Sequence, residues 1–215
     1  MADYRNSKYC SKLSKLKQKK QGLVNDIKKK HPNQVDMHSV VSKNGSQEKK
    51  DFVKIYNCKC AYCGASLEIL GNISDFEIDH FKNEKSFSSK AKAGSIDNLV
   101  LACRTCNRNK SSFDITVSAR ADLHPDEQKI TKNFLRDESY YIVLSDKAKT
   151  KKDVQDFYNK LNLNNETRRI DFLLININGL IKRLEKKKYN DVFTINMLRK
   201  IKDKLFEKRK VMKNS

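Results

Sequence analysis

Two pairs of cysteines with the same spacing constrain the fold of this chain more than any other feature of its sequence. Cys60 and Cys63 form one CxxC pair, and Cys103 and Cys106 form the other. Two intervening residues let both thiolates of a pair reach one tetrahedral ion from a tight turn, and zinc is the usual ion in a four-cysteine site. Gly64 follows the first pair and supplies the permissive backbone that this turn needs. We therefore expect Zn²⁺ bound by all four cysteines, in a structural role that contributes to folding.

The alternative to a zinc site is that these pairs are redox-active or simply buried thiols. The cellular compartment helps to choose between the two interpretations. The first residues are polar, without the apolar segment of a signal peptide, and no stretch approaches the roughly 18 apolar residues of a membrane span. We therefore expect a cytoplasmic protein without membrane contact, in which thiols stay reduced. This favours metal ligands over disulfides, and Cys10 and Cys58 are expected to be ordinary thiols.

The charge of the chain indicates a polyanionic partner. Its 46 basic and 26 acidic residues give a formal net charge of +20. Such a surface attracts polyanions and releases their counterions on binding, so nucleic acid is the first candidate. An anionic membrane is the second, but it would require an amphipathic helix with a strongly apolar face. A simple lysine bias is the third interpretation.

Composition divides the 215 residues into three regions, an arrangement that suits one domain with extensions. Residues 1–50 are a basic helical or linker extension, residues 51–118 hold five of the six cysteines, and residues 119–215 are rich in helical patterns. We expect an α+β fold that is mostly helical. In this fold, basic N-terminal and C-terminal helices flank a small zinc-bound centre.

Apolar spacing predicts the helices of the two outer regions. A weak helical pattern runs from Ser7 to Lys30 and ends at His31-Pro32. The polar stretch from 33 to 47 is expected to be a loop or linker. Two apolar stripes, Ile170–Leu184 and Val192–Leu205, predict long C-terminal helices whose stripes face the core.

The central region has the pattern of a small mixed structure. Apolar and acidic residues alternate from 76 to 79, which is typical of a short strand, and the apolar run from 99 to 101 predicts a second one. Helices are expected through Phe52 and Ile55 and from about Thr105 onward.

Several short motifs occur in a fixed order along this region. They are Cys60-x-x-Cys63-Gly64, Asp79-His80, Asn98-Leu-Val-Leu, Cys103-x-x-Cys106-Asn107 and Asn107-x-x-Lys110. Together they resemble the HNH endonuclease family, also called the His-Me finger or ββα-metal family. The resemblance covers about Cys60 to Ser112, roughly a quarter of the chain.

The resemblance implies a β-hairpin and one helix that grip a metal ion. Asp79 and Asn107 would be ligands of Mg²⁺ or Mn²⁺, hard ions that prefer oxygen atoms. His80 would be the general base, because histidine titrates near neutral pH. Asn98 would steady the loop and His80, and Lys110 would hold the phosphate as a point charge. Asn107 stands where the family often has His, which leaves the identity of the metal open.

Four further residues are placed by simpler arguments. Glu77 shares a strand face with Asp79, so it either supports the metal site or is solvated at the rim. His31, His38 and His124 have no matching partner in the motifs, and we expect all three at the surface.

The activity implied by the resemblance is metal-dependent hydrolysis of nucleic-acid phosphodiesters, with DNA as the expected substrate. The first alternative is an RNA-cleaving nuclease with the same chemistry. The second is a zinc-stabilised nucleic-acid-binding module without catalysis. Replacing His80 separates enzyme from binder, because cutting would stop while binding and zinc content would persist.

A looser similarity lies outside the central region. The motifs are His124-Pro125-Asp126, Leu161-Asn162-Leu163-Asn164 and Arg168-Arg169. They resemble the HNH proteins of bacterial phage-defence systems, such as the Septu nuclease subunit and its retron-associated relatives. This similarity implies a role in antiviral defence and a regulatory ATPase partner.

Overall fold

A computed structural model of the chain describes residues 3–186 and 191–214, except the side chains of 213 and 214. The helices are α1 Leu16–Lys30, α2 Met37–Val41, α3 Gln47–Ile55, α4 Leu67–Leu70, α5 Lys90–Ala93, α6 Arg104–Lys110, α7 Arg120–Leu123, α8 Ile130–Asn133, α9 Asp146–Lys149, α10 Lys152–Lys160, α11 Glu166–Glu185 and α12 Val192–Asn214. The strands are β1 Phe76–His80, β2 Leu99–Cys103, β3 Phe134–Arg136 and β4 Ile142–Leu144. The described part of the chain is therefore mostly helical, with small two-stranded sheets.

The first helix is shorter than its sequence pattern predicts. It begins at Leu16 rather than near Ser7, and Lys15, directly before it, has a left-handed backbone with φ of 53°. Its predicted end is confirmed, since His31 terminates the helix ahead of Pro32. The preceding segment instead buries Tyr4 and extends the core.

The expectation of a loop from 33 to 47 is wrong for residues 37–41, which form α2. Asp36 caps this helix by accepting a hydrogen bond from the backbone N–H of Ser39. Met37 and Val41 lie one turn apart and are both buried. A capping residue with a single apolar pair is too weak a pattern to separate a one-turn helix from a loop.

The central hairpin follows the predicted strands. β1 and β2 pair antiparallel, with Ile78 opposite Leu101, and α6 follows β2 without a loop. Glu77 and Asp79 share the face of β1 that α6 approaches. Every residue of β2 is buried. We call β1, β2 and α6 together the finger.

The expectation that residues 119–215 are simply helical needs a correction. β3 and β4 form an antiparallel hairpin in which Phe134 is opposite Leu144. Phe134 and Ile142 are buried, and the Tyr158 hydroxyl donates a 2.6 Å hydrogen bond to the Ile142 carbonyl. These strands have three residues each, so their apolar alternation is too short to be recognised from sequence.

The two long C-terminal helices, α11 and α12, pack against each other. The stripe on α11 is core in part, since Ile170, Leu174 and Ile181 are buried and the other four stripe residues are half-buried. On α12 the prediction is wrong for Val192 and Ile201, which are 62% and 45% exposed. Ile195 is the buried residue of this stripe, and Leu198 and Leu205 are half-buried, so α12 packs against the core along only part of the predicted stripe.

All three composition regions contribute to one large cluster of buried side chains. This cluster runs from Tyr4 in the N-terminal segment through the finger to Leu163, after α10. A smaller cluster joins α11 to Ile69 of α4. None of the helices in the described ranges is long and apolar enough to span a membrane.

Candidate functional site

The four cysteines of the CxxC pairs converge on one point. Their Sγ atoms all lie within 4.8 Å of one another, and all four residues are buried. The Cys63 and Cys103 Sγ atoms are 3.9 Å apart. Sulfurs that share one tetrahedral zinc at about 2.3 Å would be roughly 3.8 Å apart, whereas a disulfide is about 2.05 Å long. The four cysteines are therefore positioned to bind a metal ion, and this donor set fits zinc.

The backbone around the first pair fixes this cluster to the finger. Ala61 donates a 2.7 Å hydrogen bond from its N–H to the carbonyl of Leu101 in β2. Gly64 has φ of 79°, as its position after the pair predicts, and a Cβ there would lie 2.9 Å from the Arg5 Cα. The turn therefore requires glycine twice, for its conformation and for the approach of the N-terminal segment.

A buried arginine faces the cysteine sulfurs from α11. Arg168 reaches the Sγ atoms of Cys63 at 3.4 Å, Cys103 at 3.7 Å and Cys106 at 3.3 Å through its guanidinium nitrogens. Four thiolates around a divalent ion carry a net charge of −2, and a guanidinium at this distance offsets part of it. The cluster is therefore linked to the C-terminal helices by charge as well as by packing.

Sequence reasoning missed this role of Arg168. Its spacing with Asp171 and Ile175 puts it on the buried face of α11, and Asp171 forms a 2.5 Å ion pair with Arg209 of α12. Arg168 lies on the opposite side of α11 from the apolar stripe Ile170–Leu184, so the helical pattern gave no signal that this arginine is buried beside the sulfurs.

Asp79 lies on β1 with both carboxylate oxygens engaged. The Tyr62 hydroxyl donates to Oδ2 at 2.5 Å, and the Lys110 ammonium donates to Oδ1 at 3.0 Å. Lys110 also donates to the backbone carbonyl of His80 at 2.8 Å. Burial raises the pKa of the Asp79 carboxyl, although Lys110 and Tyr62 both favour its charged form. The carboxylate is thus held in one orientation from two sides.

Lys110 is not placed where sequence reasoning put it. It was expected to hold a phosphate, but only 1% of the residue is exposed and its ammonium points into the finger. An ammonium in this position neutralises Asp79 and ties the end of α6 to the end of β1. The side chain is a positioning element rather than a surface contact in this structure.

Asn107 and Glu77 meet across the gap between α6 and β1. The Asn107 Nδ2 donates to the Glu77 Oε2 at 2.6 Å. Arg104 lies 3.6 Å from the other Glu77 oxygen. Because Nδ2 faces Glu77, the Oδ1 of Asn107 is left as the free oxygen of the amide. Glu77, for which the sequence left two roles open, therefore orients Asn107.

A hard cation at this face would use few protein ligands. Within residues 3–186 and 191–214, the cysteine group is the only cluster of three or more Cys, His, Asp or Glu ligand atoms. Mg²⁺ commonly binds through one or two side chains together with waters and phosphate oxygens. The Asn107 Oδ1 and the Asp79 carboxylate are the two side-chain groups at this face that would hold such an ion, together with waters and phosphate oxygens.

His80 is the last residue of β1 and is half-buried. Burial is the larger cause that lowers its pKa below the ordinary value of 6.5, and the neighbouring His38 lowers it further. A lowered pKa favours the neutral imidazole, which is the form that can accept a proton.

Two of the three histidines expected at the surface are not there. His38 is half-buried, and its ring centroid lies 4.3 Å from that of His80. His124 is also half-buried, with Nε2 3.0 Å from the Asp97 carbonyl oxygen. His31 alone matches the expectation and is exposed. Both errors have one cause, because the partners of these rings are distant in sequence.

Asn98 closes the loop that follows His80. Its Oδ1 accepts a 2.9 Å hydrogen bond from the Lys82 N–H, and its Nδ2 donates to the carbonyls of Lys82 at 3.1 Å and Ala93 at 2.8 Å. The side chain is buried, so these bonds are shielded from water. This is the contact pattern that a loop-steadying residue requires.

Comparison with known proteins identifies a family for this segment. Residues 60–113 match the family model for the HNH endonuclease. The match covers the cysteine site and the finger, about a quarter of the chain, and supports the resemblance drawn from the motifs. Members of this family are generally nucleases, which supports an endonuclease activity and nucleic-acid binding. No curated protein and no solved structure matches the chain.

Proposed function

We propose that this protein is a metal-dependent HNH endonuclease that hydrolyses phosphodiester bonds in DNA. The observation that carries the proposal is the arrangement at the end of β1. His80 directly follows a carboxylate that is held from two sides, and the facing helix α6 offers the oriented amide of Asn107. This arrangement lies in the segment that matches the family.

Each side chain has a definite part in this proposal. His80 accepts the proton of the attacking water. Asp79 and the Oδ1 of Asn107 would hold Mg²⁺ or Mn²⁺, with Glu77 as the residue that orients Asn107. The ion, when bound, supplies positive charge that offsets the charge developing on the phosphate. Asn98 fixes the loop after His80, so that the base keeps its position.

The cysteine site has a separate, structural part. Four thiolates leave no open coordination position on a tetrahedral zinc, so this ion holds the finger together and takes no part in hydrolysis. Arg168 stabilises the thiolates, and Tyr62 connects the first cysteine pair to Asp79.

The charge of the chain supports a nucleic-acid substrate. At +20 it binds the phosphate backbone through contacts that weaken as salt rises. DNA is the proposed substrate. Participation in phage defence with a regulatory ATPase stays a prediction that rests on the looser similarity alone.

Cleavage assays on both nucleic acids test the proposal. Purified protein, freed of loosely bound divalent ions, is incubated with plasmid DNA and with structured RNA, and Mg²⁺ or Mn²⁺ is added back. Zinc content is measured in each sample, so that loss of structural zinc is not mistaken for loss of the catalytic ion. We expect plasmid cutting that requires the added ion. Cutting of RNA alone would contradict the choice of DNA.

A binding module without catalysis is the second candidate, and one observation favours it. Both oxygens of Asp79 already accept hydrogen bonds, from Tyr62 and Lys110. Salt-sensitive binding of DNA and RNA without cutting of either would support this candidate over the nuclease.

A further inference from the structure

We propose that His38, in α2, is a positioning residue that fixes the ring of His80, an assignment that rests on the proposed nuclease function. The two ring centroids are 4.3 Å apart and the ring planes are inclined by 35°. In the described ranges, the His80 backbone carbonyl accepts a hydrogen bond from Lys110, and no hydrogen bond reaches the ring nitrogens of His80. The inclined ring of His38 is therefore the ring contact that orients His80 in this proposal.

His38 is anchored to the strand that carries His80. Its Nε2 lies 3.3 Å from the carbonyl oxygen of Ile78. A carbonyl oxygen only accepts, so Nε2 carries the proton and donates. Phe81 and Asn98 are hydrogen-bonded across the hairpin, and antiparallel pairs alternate, so the Ile78 carbonyl lies on the free edge of β1. The Nε2 end of the His38 ring thus covers this edge of β1, and the face of the same ring lies against His80.

The helix that carries His38 is docked on the loop between the strands of the hairpin. The Met37 N–H donates to the Gly94 carbonyl at 3.0 Å, and Met37 is buried. A Cβ at Gly94 would lie 1.9 Å from the Asp36 Oδ1, so the glycine makes room for the N-terminal cap of α2. The N-terminal extension is therefore part of the centre on the finger rather than only a basic tail.

The physical need for such a contact follows from the chemistry. A catalytic base is effective when a third group holds it in the orientation of attack. A displacement of about 1 Å can lower the rate on the order of 100-fold. The His38 ring blocks rotation of the His80 ring, and this task depends on a flat ring rather than on ring nitrogens. Phenylalanine should therefore perform it, whereas alanine should not.

The test compares His38→Ala and His38→Phe with wild type in steady-state DNA cleavage. His31→Ala is the matched control, because His31 is exposed and precedes the same helix. We expect His38→Ala to lower kcat about 10- to 100-fold, with KM and DNA affinity close to wild type. His38→Phe should recover most of kcat, and His31→Ala should match wild type. A wild-type kcat for His38→Ala, or a His38→Phe as slow as His38→Ala, would overturn the proposal.

A second measurement does not depend on cleavage. Carbon-13 relaxation of the His80 ring, in protein with labelled histidine, reports the order of that ring directly. We expect an ordered ring in wild type and His38→Phe and a mobile ring in His38→Ala. An unchanged ring in His38→Ala overturns the assignment of His38 even if wild type cuts DNA. If wild type cuts no nucleic acid, the proposed function fails, and ring order alone decides whether His38 positions His80.

Discussion

The hydroxyl of Tyr62 lies 2.5 Å from the Oδ2 of Asp79 and donates a hydrogen bond to it. Tyr62 is one of the two residues between Cys60 and Cys63, and it is fully buried. The four-cysteine site and the proposed nuclease centre therefore share one side chain.

Tyr62→Phe should remove one of the two hydrogen bonds that hold the Asp79 carboxylate, without releasing zinc from the cysteine site. A hydrogen bond to a charged group contributes about 1.5–3 kcal/mol, so the free energy of unfolding in urea should fall by about that amount and kcat should drop. Zinc content should stay at one per chain. Tyr158→Phe is the control, because it removes a comparable buried bond, to the Ile142 carbonyl, away from the site. Equal effects of the two variants on kcat would contradict the role of Tyr62.

Arg168→Met should lower the affinity of the four-cysteine site for zinc. Loss of the guanidinium leaves the charge of four thiolates without its buried partner, and changes of this kind lower metal affinity by about 10- to 100-fold. The rate and extent of zinc transfer to a coloured chelator measure the effect. Arg169→Met is the matched control, since Arg169 is paired with Glu166 and touches none of the sulfurs. Equal zinc retention in both variants would contradict the role of Arg168 in stabilising the bound metal.

Lys110→Met should act on stability rather than on binding of the substrate. It leaves the buried Asp79 carboxylate without its ion-pair partner, a loss of about 3–5 kcal/mol in the free energy of unfolding. The dependence of DNA affinity on salt should be unchanged, because the ammonium is buried. A stable variant in which the slope of log binding constant against log salt concentration falls by about one in magnitude would show that Lys110 contacts a phosphate.

The pH dependence of cleavage should reflect a histidine whose pKa is below the ordinary value for this side chain. Burial and the nearby His38 lower the pKa of His80 below 6.5, and the base acts only when it is neutral. The rate therefore rises with pH through an inflection below 6.5 and is level across neutral pH. Measurement of kcat/KM from pH 5 to 8 checks this. An inflection above pH 7 would conflict with a buried, neutral His80.

The parts of the fold that sequence predicts are those set by local spacing. The CxxC pairs predicted the cysteine cluster, and the alternation from 76 to 79 predicted β1. Asp79, His80, Asn98 and Asn107 all lie on or beside the predicted finger. β1 depends on residues within a few positions of each other. The cysteine cluster depends on two local CxxC pairs, which lie 40 residues apart and which a single metal ion can join.

The parts that sequence did not predict depend on distant partners. Arg168 lies 62 residues from Cys106, and His38 lies 42 residues from His80. Lys110 was expected to hold a phosphate, because helical spacing alone does not show that its ammonium contacts Asp79 of β1. In each case the side chain itself is ordinary, and only the packing of remote elements gives it a role.

The most direct test of the account is DNA cleavage by His80→Ala beside His31→Ala, in Mg²⁺ or Mn²⁺, with zinc content and salt-dependent DNA binding measured on the same samples. The account predicts that His80→Ala stops cutting while zinc and binding stay at wild-type levels, and that His31→Ala cuts normally. Cutting by His80→Ala at the wild-type rate would contradict the assignment of His80 as the general base.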